Sequence, residues 1–256
     1  MTEGRTIDLS IEVPGTPEEV WHAIATGPGI TSWFVPTEVE EREDGVVRSH
    51  FGEMGTDEGR VVTWDAPRRV VFEGGAATGR PLAFEWTVEA VSGDTCTVRL
   101  VSTGFGDGEE WDGDFDGMSA GWRLFMENLR LHLAYFRSQP ATAAVPMAMI
   151  AGPNDRAWSA LCSALDVPGG LGEGDAISLP VAEGEAWPGR IERTVMSEAM
   201  RHHVVVLEQP PATGFLAAEG NGDQVAVSAY LYFYGDDAKE HAAQWEHAWK
   251  VRWAEG

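Results

Sequence analysis

Between Asp116 and Phe136 the chain sets Met118, Trp122, Met126, Leu129, Leu133 and Phe136 at steps of three and four, which on a helix makes a single apolar stripe. Asp116 carries a side-chain oxygen suited to capping the first free amides. Arg130, His132 and Arg137 gather where the helix carbonyls concentrate partial negative charge. The spacing therefore predicts a helix over 116–136. A stripe this long and aromatic must lie on an apolar surface, and residues 36–103, just upstream, alternate in the manner of successive strands. A sheet gripping one long helix is the expected arrangement.

The elements before that helix can be read one by one. Ile7, Leu9, Ile11 and Val13 alternate with polar neighbours as a half-buried strand does, and Pro14-Gly15 ends it. Thr16 with Glu19 forms a capping box, Pro17 suits the first helical position, and Val20, Trp21 and Ile24 recur at helical spacing to about Thr26. Gly27, Pro28 and Gly29 break that helix, and Ile30 to Phe34 make a brief turn. Strands are expected near 37–42, 46–51, 59–65, 69–73, 81–90 and 95–103, joined by short Gly, Asp-Gly or Pro turns into an antiparallel meander with one buried face. The fifth is the clearest, with Leu82, Phe84, Trp86 and Val88 on one face; the sixth puts Cys96, Val98 and Leu100 together.

At 256 residues the chain exceeds what one hydrophobic core comfortably fills, so two domains are expected. Periodicity stops around Gln139, Pro140 and the Ala-Thr-Ala-Ala run, which places a linker between a first domain, 1–138, and a second, 145–256. The second half repeats the first in worn form. A strand near 145–151 leads to Gly152 and a helix with Trp158 and Leu161, spaced from the glycine as Trp21 and Ile24 are from Gly15. Strands near 190–196, 202–208, 213–218 and 224–234 follow, then a closing helix over about 236–253 stacking Trp245, Trp249 and Trp253. Fewer residues are available for this sheet. Tyr230, Tyr232 and Tyr234 share one face of its last strand, expected to be a contact surface because Val225, Val227, Leu231 and Phe233 supply the other face with a core.

Charge removes several function classes. With 41 acidic against 18 basic residues the net charge is −23, which disfavours nucleic acid and anionic membrane surfaces as partners. No apolar run reaches the length of a membrane span and Met1–Asp8 lacks the pattern of a signal peptide, so a cytoplasmic protein is expected. Cys96 and Cys162 then read as small buried thiols.

Several separated motifs carry a family resemblance: Glu-Val-Pro-Gly-Thr-Pro-Glu-Glu-Val-Trp-His-Ala-Ile at 12–24, Gly-Ile-Thr-Ser-Trp-Phe at Gly29–Phe34, Ser-Thr-Gly-Phe-Gly at Ser102–Gly106, and the helix opening with Gly121-Trp122. Over about residues 5–136 they resemble bacterial homologues of the activator of the ninety-kilodalton heat-shock chaperone's ATPase, in the START-like or SRPBCC superfamily. Residues 145–253 are similar only in element order. The resemblance implies an α+β helix-grip fold, a curved antiparallel sheet wrapped on a long C-terminal helix, here in tandem with a degenerate second copy. It also implies an apolar cavity and, for a chaperone activator, a place in the stress response.

Other constellations resolve into structural readings. Asp112, Asp114 and Asp116 mimic the start of a calcium loop, but the twelfth position is Arg123 where a bidentate Glu is needed. His202 and His203 point to opposite faces of a strand, His241 and His247 are six apart on a helix, and His22 and His50 have no ligand partner at metal spacing. The string Gly104-Phe105-Gly106-Asp107-Gly108 is acidic where a phosphate cradle is neutral or basic, and no nucleophile elbow or dinucleotide fingerprint occurs. No cofactor, metal or catalytic residue is assigned.

What remains is an aromatic set rich for the chain's length, which has eleven Trp. Trp21, Trp33, Phe34, Phe51, Trp64, Phe72, Phe84, Trp86, Trp122 and the flexible Met118 and Met126 are the residues expected to line a ligand cavity between sheet and helix. The function expected is non-enzymatic binding of a small hydrophobic or aromatic molecule by a monomer or homodimer, in the first domain against Trp86 and Trp122. A chaperone-binding interaction module and a polyketide cyclase- or hydrolase-like enzyme are the alternatives.

Overall fold

A computed structural model of the chain describes residues 5–74, 82–106, 108 and 111–253, and for Glu53 and Asp114 the backbone alone. It divides into two compact units, Met1–Pro140 and Ala141–Gly256. No helix among the described residues is long and apolar enough to cross a membrane.

In the first unit, β1 (Ile7–Pro14) leads into α1 (Pro17–Ala25) and α2 (Gly27–Thr31), followed by β2 (Thr37–Val39), β3 (Val46–His50), β4 (Thr56–Asp65), β5 (Arg69–Gly74), β6 (Leu82–Ala90), β7 (Thr95–Thr103) and α3 (Asp112–Tyr135). The strands form one antiparallel sheet in the order β1-β7-β6-β5-β4-β3-β2, so the first strand closes on the last. The turn expected between β5 and β6, and Asp107 of the glycine string, lie outside the described residues. The capping box is present: the Thr16 hydroxyl accepts from the Glu19 amide, and the Glu19 carboxylate accepts from the Thr16 amide at 2.9 Å. A glycine is required at Gly29, where α2 passes so close to α1 that a Cβ would collide with the His22 carbonyl oxygen. α3 lies against β1, and α1 against β6 and β7.

α3 starts a turn earlier than the sequence suggests, so Asp116 sits exposed inside the helix and caps nothing. Trp111 occupies the capping position without a side-chain cap. The start is held instead by Arg5, whose guanidinium donates to the Asp112 carboxylate at 2.6 Å and to the carbonyl oxygens of Gly106 and Gly108, and lies over the Phe115 ring. This pairing spans 107 residues of sequence, too far for local pattern to reveal. At the other end Arg137 donates to the Leu133 carbonyl and to Glu19, tying α3 to the cap of α1. His132 does not supply the positive charge expected of it, because burial, with His22 nearby, pushes its pKa down to about 4.

The second unit follows the same path. β8 (Thr142–Ala144), inside the run expected to be linker, and β9 (Met147–Ala151) both pair β14 (Gln224–Phe233), so here too the opening strands close on the last. Between them come α4 (Asn154–Ala164), β10 (Ala176–Ala182), β11 (Glu185–Met196), β12 (Met200–Leu207) and β13 (Ala212–Glu219), and α5 (Ala238–Trp253) closes the unit. The sheet order is β10-β11-β12-β13-β14-β8, with β9 beside β14. The chain is a tandem of two helix-grip units. The expectation of a shorter second sheet is overturned, since each sheet has seven strands. β10 is not among the strands expected from the sequence; Ile177, Leu179 and Val181 alternate inward along it, with Pro180 between them.

Tyr230, Tyr232 and Tyr234 are buried. They stand on the sheet face opposite the core formed with α4 and α5: Tyr230 packs on Phe215 at 5.1 Å, and the Tyr234 hydroxyl lies 3.4 Å from that of Thr213.

Candidate functional site

The ladder register of the first sheet assembles its inner face in rows. One row crosses the strands as Ile7, Ser102, Phe84, Phe72 and Val61, and the next as Leu9, Leu100, Trp86, Val70 and Trp64. Partners in a ladder share a face, so side chains in these rows point together toward α3. The outer face is wet and carries cross-strand ion pairs, among them Arg99 with Asp8, Arg69 with Glu85 and Arg60 with Glu73. The Arg99 guanidinium bonded to Asp8 holds that carboxyl below its usual range.

The C-terminal half of α3 closes tightly on the sheet, with Leu129 and Leu133 inaccessible beside Val20, Cys96 and Val98. Around its N-terminal half the packing is aromatic and half-buried. Trp122 stacks on Phe34 with centroids 5.2 Å apart, and contacts Trp86 edge-on at 5.5 Å and Phe84 at 5.6 Å. Phe34 in turn meets Phe125 at 4.6 Å and Phe51 at 5.9 Å. A second group continues the line up the helix, with Phe105 on Phe115 at 5.2 Å and on Trp111 at 6.0 Å.

Of the residues expected to line a cavity, Phe34, Phe51, Phe84, Trp86 and Trp122 thus share one continuous set of ring contacts, with Met118 packed beside the core. Trp33 joins them, 5.6 Å from Trp86, but it is a wedge: its ring is 1 % exposed and its N–H donates to the Ala23 carbonyl. Its own carbonyl accepts from the Asn128 amide of α3 at 2.9 Å, so one buried residue locks α1 to α3. Met126 and Phe72 are buried in the same core. Trp21 and Trp64 form a separate edge-to-face pair at 5.1 Å. Trp111 and Phe115 went unrecognised, although they extend the 118–122 stripe backward by helical steps; starting the helix at Asp116 cut them off.

Asp112 is engaged by Arg5, and no group of three or more His, Cys, Asp or Glu able to hold a metal ion occurs among the described residues. Both cysteines are free and buried, and burial raises the Cys162 thiol to about 11, so neither is a poised nucleophile. In the second unit His203 is buried, bonded through Nδ1 to the Thr194 hydroxyl at 2.9 Å and set against Trp158; burial pushes it down to about 4.

A seven-stranded antiparallel sheet closed by its first and last strands and gripped by a long C-terminal helix defines the helix-grip class. Residues 14–134 match the family described as Activator of Hsp90 ATPase homolog 1-like protein, and the first unit belongs to that family. No curated protein matches the chain. Solved structures with a similar fold include the Aha1 dimer from Colwellia psychrerythraea, 15 % identical, covering 51 % of this chain and 97 % of that one at a TM-score of 0.45. An HSP90 activator from Plasmodium falciparum is 16 % identical, covering 52 % and 98 %, at 0.44. The di-domain ARO/CYC BexL from the BE-7585A biosynthetic pathway is 18 % identical, covering 97 % and 92 %, at 0.47. Likeness at this level says nothing of activity.

Proposed function

We propose that the first unit is a non-enzymatic binding module that holds a small apolar or aromatic molecule between its sheet and the N-terminal half of α3. The observation that carries this reading is the contrast within one core. Around Trp122 the rings of Phe34, Phe51, Phe84 and Phe125 remain partly open to solvent, whereas the other half of the same helix is sealed by aliphatic packing. Half-exposed aromatic surface is unfavourable in a free protein and becomes favourable when a ring-bearing ligand covers it.

The test is equilibrium titration of the whole chain with N-phenyl-1-naphthylamine, following probe fluorescence and tryptophan emission. Saturable binding that Phe34→Ala weakens, with the probe recovered unchanged, supports the reading. Absence of saturable binding removes it. Membership of the first unit in the activator family favours a second reading, a chaperone-binding interaction module without a ligand; stable association with a purified ninety-kilodalton heat-shock chaperone, unaffected by Phe34→Ala, would favour it. A cyclase- or hydrolase-like activity has no support from side-chain geometry, and turnover of the bound molecule would be its signature.

A further inference from the structure

Two polar groups in the aromatic core stand out among the described residues. The Ser102 hydroxyl is fully buried, and both it and the Trp122 indole N–H lack a hydrogen-bond partner among the described residues. Such groups cost free energy when left unpaired in an interior, and the great majority in folded proteins are satisfied. Both flank the same ring. Ser102 is the ladder partner of Phe84 across β6 and β7, on the inner face, and Trp122 contacts Phe84 from the helix side at 5.6 Å. Ser102 also interrupts an otherwise apolar column, since Cys96, Val98 and Leu100 precede it on that face of β7 and Ile7 stands opposite it on β1.

We infer that Ser102 Oγ and Trp122 Nε1 form a polar subsite for an uncharged oxygen, a carbonyl or phenol, carried by the aromatic ligand; this rests on the binding reading above. An indole N–H only donates, so the ligand must present an acceptor there, while a serine hydroxyl can donate or accept. Neither group carries charge. A carboxylate would be buried against dipoles alone, which is far more costly than burying a ketone. The rings select an aromatic body and the two dipoles select where its oxygen sits, so a pure hydrocarbon of the same shape would leave both groups unpaired.

The experiment compares two near-isosteric probes, 2-acetylnaphthalene and 2-isopropylnaphthalene, in titrations of the full chain and of the Trp122→Phe and Ser102→Ala variants. Wild type is expected to bind the ketone at least as tightly as the hydrocarbon, despite the ketone's better hydration. Each variant should weaken the ketone roughly tenfold more than it weakens the hydrocarbon. Ser102→Ala should also unfold at an equal or higher denaturant midpoint than wild type, because it deletes an unpaired buried hydroxyl. A lower midpoint would mean that the hydroxyl is already satisfied, and would overturn its role. Trp122→Phe keeps an aromatic ring while removing the N–H, and carries the test alone if the serine variant does not fold. Binding of both probes with no ketone-specific loss in either variant overturns the polar subsite and leaves the binding module standing. Binding of neither probe overturns both.

Discussion

The two closing helices grip their sheets through tryptophans at comparable places, yet the rings are treated oppositely. Trp122 on α3 is half-buried, stacked on the half-buried Phe34, and its N–H has no hydrogen-bond partner among the described residues. Trp245 on α5 is fully buried, donates its N–H to the Ala229 carbonyl of β14 at 2.8 Å, and packs against Trp187. The second core is filled by its own aromatic residues, with Phe233 inaccessible and Trp187 and Trp249 nearly so. The two units therefore differ not in strand number but in which tryptophan N–H finds an acceptor among the described residues.

The comparison can be broken by truncating each ring. Trp245→Ala is predicted to lose about 3–5 kcal/mol, since it opens a large cavity and orphans a carbonyl. Trp122→Ala should lose only about 1–2 kcal/mol, because part of that ring is already wet and no hydrogen bond is lost. Chemical denaturation of the two variants measures both, and equal losses would mean that the first core is as closed as the second. Between these lies Asn128→Ala, predicted to lose about 2 kcal/mol through the orphaned Trp33 carbonyl. Unchanged stability there would deny that Trp33 is a fixed wedge beside the half-buried rings.

Acid should weaken both units. His132 in the first and His202 and His203 in the second are held near 4 by burial, so between pH 6.5 and 4 the unfolded chain takes up protons that the folded chain refuses, and stability falls as pH falls. Glu219 in the second unit works the other way. Burial raises it to about 7, so its contribution is fully present below about 4.5 and is lost as pH rises through 7. Glu219→Gln is accordingly expected to gain on the order of 1 kcal/mol at pH 8 and nothing at pH 4.5. A gain of the same size at both pH values would exclude ionisation as its cause.

The alternating runs, the Thr16–Glu19 capping box, the α3 stripe and the repeated element order were all legible in the sequence, because each depends on residues within a turn or two of one another. So was the nucleus of the aromatic group, since β6 and α3 each carry their rings at regular spacing. Tertiary structure alone decided the rest. Arg5 sets where α3 begins from 107 residues away, and β10 becomes a strand by pairing with β11 despite its proline. Trp33 and Trp122 are indistinguishable as letters, and differ only through the carbonyl that the Trp33 N–H reaches, while the Trp122 N–H has no partner among the described residues. Hydrogen-bond satisfaction is a property of positions in space, so a pattern of apolar spacing can gather rings in one core but cannot say which of their polar atoms find partners there.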